Sequence, residues 1–282
     1  MSLTDKNLRL AVLVDADNAP RDCLQGIMEE VAIYGTPNIK RAYGDWSGRN
    51  LAGWKQALLD ISVTPIQQFA YTKGKNSTDS AMIIDAMDIL YSGNTDGFVL
   101  VSSDSDFTGL ARRLREAGQL VIGIGEQKTP NALIAACNKF IYIEVIREKN
   151  KKSAPAKAKA EPAKAQPKKT KDTGKKTAAP EPERKPEPER KPEPKTQTIP
   201  DSVIWLIADS ILDLSEAADN DYISLGAVGQ LIQKKRPDFD TRSYGYSKLS
   251  GMVKSIPRFE VVEREDKSDP RSKIVYIRDT EI

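Results

Sequence analysis

The chain has 282 residues, 39% of them hydrophobic and 29% charged, and a formal net charge of +3, which gives enough apolar content for two domains of ordinary size. It contains no histidine, which excludes histidine-ligated zinc, a Ser-His-Asp triad and imidazole acid–base chemistry. The charge is unevenly placed: net −2 over residues 1–150, +8 over 151–200 and −3 over 201–282.

The first ten residues lack the sections of a secretory signal, and no apolar run reaches the length of a membrane span. Cys23 and Cys137 have no CxxC spacing and read as buried thiols of a reducing compartment. The expectation is a cytoplasmic protein.

From the N-terminus, short β-branched apolar runs alternate with amphipathic stretches, the pattern of a parallel sheet covered by helices on both faces. Strands are expected over residues 10–14, 39–43, 63–67, 97–102, 120–124 and 140–145, with helices around 21–33, 51–59, 77–91, 108–117 and 131–137. This is an open α/β sheet, in which ligands sit beyond the carboxyl ends of the strands near the point where strand order reverses.

Two strand ends carry paired acids. The first run closes on Val14-Asp15-Ala16-Asp17-Asn18, where period-two alternation places Asp15 and Asp17 on one side, and the fourth on Ser102-Ser103-Asp104-Ser105-Asp106. Asp79 opens the intervening helix after Lys73-Gly74-Lys75-Asn76-Ser77-Thr78. Any one of these acids is as well explained as a helix cap. Several together suit a hard divalent cation, magnesium or manganese, which takes oxygen ligands, activates water and neutralises phosphoryl oxygens without histidine. Asp85 and Asp88, further along the same helix, fit a solvent-facing or helix-stabilising role better. Lys73, Lys75, Arg41 and Arg49 are expected in loops bordering this edge, where cations guide a polyanion, and Trp46 and Tyr71 are candidates for stacking unpaired bases or for rim packing.

From residue 149 to 200 the chain is lysine, proline, alanine and glutamate with almost no large apolar residue, and EPERKP repeats in tandem. Such a segment cannot bury enough surface to fold and is expected to be a disordered, extended tether that fixes no geometry. Order is expected to return over 201–282, with helices at 202–214, 225–235 and 246–254 and a terminal hairpin of 259–263 with 274–278, the outline of a winged helix-turn-helix. Lys234, Lys235, Arg236, Arg242 and Lys248 supply a candidate basic, RNA-contacting face.

VDADN at residues 14–18, KGKNSTDSAMIIDAMDIL ending at Leu90 and VLVSSDSDFTGLARRLREAG ending at Gly118 together resemble the NYN family, a LabA-like or DUF88 branch of the PIN-like nucleases. The resemblance spans about the first 145 residues and implies a Rossmann-like PIN-type α/β/α sandwich over 1–148 with ribonuclease activity. It also implies Asp15, Asp79, Asp104 and Asp106 as metal ligands, with Asn18 as the polar residue following the first acid. Ser103, where many relatives carry glycine, departs from the pattern. The segment from Leu225 through Tyr244-Gly245-Tyr246-Ser247-Lys248-Leu249-Ser250 is similar to OST-HTH or LOTUS domains, which implies RNA binding, and in some members protein binding, over 201–282. The leading expectation is a metal-dependent endoribonuclease acting on single-stranded or structured RNA, with a protein partner or homodimer left open. A non-catalytic RNA-binding regulator and, more remotely, a DNA-binding regulator are the alternatives.

Overall fold

The computed structural model describes residues 7–48, 51–69, 77–153, 199–218, 220–265 and 273–281. The first domain is built on six strands, β1 (Leu8–Asp15), β2 (Gly35–Gly44), β3 (Thr64–Gln67), β4 (Gly97–Val101), β5 (Leu120–Gly125) and β6 (Lys139–Tyr142). All five pairings are parallel and the spatial order is β3-β2-β1-β4-β5-β6. The chain therefore winds outward from β1 in one direction and from β4 in the other, and the reversal lies between these two strands.

Six helices cover the sheet: α1 (Leu24–Val31), α2 (Trp54–Asp60), α3 (Ser77–Ser92), α4 (Thr108–Glu116), α5 (Asn131–Ala136) and α6 (Ile143–Ser153). The continuous apolar run of β1 is explained by burial on both sides. Leu10, Val12 and Val14 pack with Leu24 and Ile27 of α1, Trp54 of α2 and Ile146 of α6. Ala11 and Leu13 pack with Met82 of α3, Leu110 of α4 and Leu133 of α5. Each large side chain so buried contributes roughly 1.5–3 kcal/mol, which fixes the register that carries Asp15 to the strand's end.

Several boundaries differ from the sequence expectation: β2 begins at Gly35 rather than residue 39, and two shifts lie at the end of the first domain. Val145, assigned above to the last strand, lies in α6, because β6 ends at Tyr142 and the chain turns into a helix that buries Ile143 and Ile146. That helix continues to Ser153, past residue 148 where the first domain was expected to end. The repeat-bearing stretch 154–198 lies outside the described residues. Cys23 and Cys137 are free and buried, as expected, and burial pushes the Cys137 thiol up to about 12.

The second domain comprises α7 (Asp201–Ala218), β7 (Ile223–Ser224), α8 (Leu225–Lys235), α9 (Leu249–Lys254), β8 (Phe259–Glu265) and β9 (Lys273–Asp279), with antiparallel sheet order β7-β9-β8. Val203 and Ile207 of α7, Val228 and Ile232 of α8, Met252 and Val253 of α9 and Ile277 of β9 form its own core. Gly245, at φ +83°, closes the turn after Tyr244 in the left-handed region that glycine adopts without a Cβ penalty.

The two domains are in contact, which the expectation of a tether without fixed geometry did not foresee. Strand β6 is an edge strand, and its Phe140 N–H donates to the Pro237 carbonyl at 2.9 Å. On either side, Lys139 Nζ donates to Gln233 Oε1 at 2.8 Å and the Tyr142 hydroxyl donates to Asp238 Oδ2 at 2.9 Å. At the centre, Arg242 donates both terminal nitrogens to Glu30 of α1, at 2.9 and 2.7 Å, while also bonding Asp240. Glu30 is 1% exposed. Burial pushes its carboxyl up, but the hydrogen bonds and charge of Arg242, joined by Lys149, outweigh that and hold it below its usual value. An unpaired sheet edge invites adventitious pairing, and here the second domain covers part of it.

Candidate metal centre

At the carboxyl edge, on the strand reversal between β1 and β4, three carboxylates meet. Asp79 comes from the first turn of α3. Asp104 and Asp106 come from the segment that leads β4 into α4, and ligand oxygens of all three lie within 4.8 Å of one another. Asp104 caps the short 3-10 turn Ser105–Phe107, its Oδ1 accepting the Asp106 N–H at 2.9 Å. One oxygen of Asp104 thus serves as the cap that the sequence reading offered as the competing role, and the two roles coincide in one residue.

Asp15, the last residue of β1, is 1% exposed, and its charge is among those that raise Asp79. Its Oδ2 accepts the Ser102 hydroxyl at 2.8 Å and Asn18 Nδ2 at 2.9 Å, and its Oδ1 accepts the Asn18 N–H at 3.3 Å. Burial raises the Asp15 carboxyl, and these three hydrogen bonds partly oppose the rise. Both Asn18 bonds thus end on Asp15. Ser102 couples the two strand ends, because the hydroxyl that donates to Asp15 also accepts the Asp104 N–H at 3.1 Å. The neighbouring Gly125 permits this closeness: a Cβ there would come within 2.8 Å of the Ser102 carbonyl oxygen. Ser103 Oγ accepts the Glu126 N–H at 2.8 Å and so binds the loop backbone.

Asp79 is pushed up to about 6, by burial first and then by the charges of Asp15, Asp104, Asp106 and Asp17. Among the described residues no lysine or arginine pairs with Asp15, Asp79 or Asp104. Crowded carboxylates without a cation are electrostatically costly, and a hard divalent ion relieves that cost through oxygen ligands. The donor set fits magnesium or manganese.

The expected pairing of Asp15 with Asp17 on one strand face does not occur. Strand β1 ends at Asp15, and the exposed Asp17 lies in the following turn, where its Oδ2 accepts the Thr78 hydroxyl at 2.9 Å. Arg41 does not border the cleft as a steering cation, since it lies within β2 and pairs with Asp85 of α3, which also accepts the Tyr43 hydroxyl. Trp46 is a rim-packing residue: its Nε1 donates to the Ile66 carbonyl at 2.9 Å and its ring meets Trp54 edge-on. Lys73, Lys75, Arg49 and Tyr71 lie outside the described residues. Ser102, given no firm role from sequence, emerges as the link between Asp15 and Asp104; its place directly after a strand, two residues before an acid, was the available signal.

With this geometry in view, comparison with known families is decisive. Residues 9–144 match the NYN domain and residues 205–270 match the OST-HTH/LOTUS domain. The chain is an NYN domain joined to an OST-HTH/LOTUS domain. No curated protein matches it. Among solved structures, a Vibrio parahaemolyticus protein of unknown function is 20% identical, covering 51% of this chain and 96% of its own, with a TM-score of 0.43. An uncharacterized Nitrosomonas europaea protein is 28% identical over 38% of this chain and 92% of its own, with a TM-score of 0.27. A Chromobacterium violaceum fragment is 26% identical over 31% of this chain and 87% of its own, with a TM-score of 0.24.

In the OST-HTH domain, the five cations expected to face RNA divide into two groups. Lys235 pairs with Asp209 and Asp213, Arg236 with Asp238, and Arg242 with Glu30 and Asp240. Lys234 and Lys248 are exposed. The spacing that suggested a basic face did not reveal that intradomain and interdomain acids occupy three of its members.

Proposed function

We propose that this chain is a metal-dependent ribonuclease that hydrolyses RNA phosphodiester bonds at the Asp79–Asp104–Asp106 site, with the OST-HTH domain retaining the RNA. NYN is a nuclease-type domain and OST-HTH domains bind RNA. The observation that carries the reading is the convergence of three carboxylates at the strand reversal, their oxygens within 4.8 Å of one another.

Asp79, Asp104 and Asp106 would hold magnesium or manganese, directly or through water, and the ion would supply Lewis acidity toward a phosphoryl oxygen and a bound water of lowered pKa. The protein's own part is positional. Ser102 and Asn18 hold the Asp15 carboxylate, and the N-cap bond fixes Asp104 relative to Asp106. Asp15 adds negative potential to the cleft and would help hold the ion, directly or through water. With no histidine in the chain, the proton for the departing oxygen does not come from an imidazole.

No helix among the described residues is long and apolar enough to cross a membrane. Cleavage of labelled single-stranded and hairpin RNA with magnesium, manganese or EDTA, beside Asp104→Asn, tests the reading. Metal-dependent cutting that the substitution abolishes supports it, and equal turnover by parent and variant overturns it.

A further inference from the structure

The docked face of the OST-HTH domain, from Gln233 to Arg242, is turned toward the NYN domain, and its arginines are engaged by acids. A different face of the same domain carries an arrangement that the sequence reading did not single out. In the sheet β7-β9-β8, Ile223, Phe259, Val261 and Ile277 point into the core. Strand alternation therefore sends Tyr222, Glu260, Val262, Arg264, Tyr276 and Arg278 to the outer side.

On that outer side the guanidinium of Arg264 lies 4.8 Å from the ring centre of Tyr222 and 5.2 Å from that of Tyr276. Arg278 lies 5.1 Å from the Tyr222 ring and bonds Glu260 at 2.6 Å. Arg264 is exposed and, among the described residues, has no carboxylate partner. Its planar fork is thus held between two aromatic rings while its N–H groups remain available to a ligand. Arg278 is engaged by Glu260, with Asp221 also near it, so the cation this face leaves available is Arg264.

We propose that the outer face of this sheet is a platform for unpaired bases of single-stranded RNA. Bases stack on the tyrosine and guanidinium layer around Tyr222, Tyr276 and Arg264, and Arg264 donates to a phosphate or base edge. The inference rests on the RNA-binding reading above and assigns it a surface. Stacking needs an open base face, which a duplex conceals, so single strands are preferred over paired ones. An acidic peptide would satisfy Arg264 but leave the tyrosine layer without a role.

The test is fluorescence anisotropy of the full-length protein with a labelled single-stranded 12-mer RNA and a labelled blunt RNA duplex, in EDTA to prevent cutting. Tyr276→Ala and Arg264→Ala each weaken single-strand binding on the order of tenfold, while Tyr276→Phe, which keeps the ring, binds as the parent does. Circular-dichroism melts establish that the variants are folded. Parental affinity in both alanine variants, with a loss in a Lys234→Ala/Lys248→Ala double variant instead, overturns the platform and leaves the RNA reading standing. No binding of either RNA by the parent protein overturns the RNA reading itself.

Discussion

The acids of the NYN cleft and the cations of the OST-HTH domain are both clusters of charge, but they have opposite fates. In the cleft, Asp15, Asp79, Asp104 and Asp106 converge from separate strand and helix ends, and the carboxyl of Asp79 is pushed up to about 6 by burial and its acidic neighbours. In the second domain, Lys235, Arg236 and Arg242 are each neutralised by acids of the chain itself. Under the proposed function, the acidic cluster takes an external ion. A cluster that the fold neutralises is organised for structure.

The sharpest way to break this contrast is to remove a cleft acid. Asp104→Asn is expected to reduce metal-dependent RNA cleavage by 10²–10³-fold or more, on the order seen when a preorganised charge-stabilising group is lost, measured by single-turnover cutting of a labelled oligonucleotide. Its effect on stability is expected to be small, because the amide oxygen still accepts the Asp106 N–H.

On the structural side the order of effects reverses. Glu30→Ala leaves cleavage of short oligonucleotides unchanged but removes the acid at the centre of the domain contact. Losing one partner of a fully buried pair costs about 3–5 kcal/mol. The cost here is expected to be lower, about 2 kcal/mol, because Arg242 is 26% exposed and keeps Asp240. Small-angle scattering reads the outcome: a larger radius of gyration in Glu30→Ala than in the parent. An unchanged radius in Glu30→Ala would show that this pair does not hold the domains together.

Metal addition should separate the two clusters by sign. Magnesium or manganese raises the melting temperature of the parent but not that of Asp104→Asn, following the usual stabilisation of a folded state by its ligand. Asp79→Asn, which removes one of the repelling charges, melts higher than the metal-free parent while losing the response to metal. Differential scanning calorimetry with and without EDTA checks both, and a lower melting temperature for metal-free Asp79→Asn would contradict the repulsion argument.

The smallest expected effect is in pH dependence, and it too has opposite directions. Asp79 is raised, so its contribution to stability is fully present below the unfolded carboxyl value near 3.9 and is lost as pH rises through about 6. Metal-free protein is therefore expected to gain stability between pH 7 and 5. Glu30 and Asp240 are held low, each by Arg242 against the opposing effect of burial. Their contribution is present above the unfolded values near 4 and is lost as pH falls through the lower folded values. Domain separation in scattering is thus expected only below about pH 4, and separation already at pH 5–6 would refute the assignment.

What was legible from sequence follows the distance over which each feature is decided. The parallel sheet and its helices were visible because apolar runs and amphipathic periods are local, and β1, β4 and β5 appear within two residues of their expected limits. The acids near the cleft were visible because strand ends and helix starts deliver side chains to the same edge in any sheet of this kind. The finer assignment was not. The Asp15 carboxylate is held by Ser102, 87 residues away, and whether Asp17 shares its face depends on where β1 stops.

The sequence by itself determined the two-domain pattern, the absence of imidazole chemistry and the family resemblance, since composition and short-range spacing carry all three. Only the tertiary structure decided that Arg242 serves Glu30, 212 residues away, that the second domain sits on the β6 edge, and that Arg264 lies between two tyrosines. The physical reason is that a charged side chain takes its role from whichever partners the fold brings within a few ångströms, and for these residues those partners are distant in the chain.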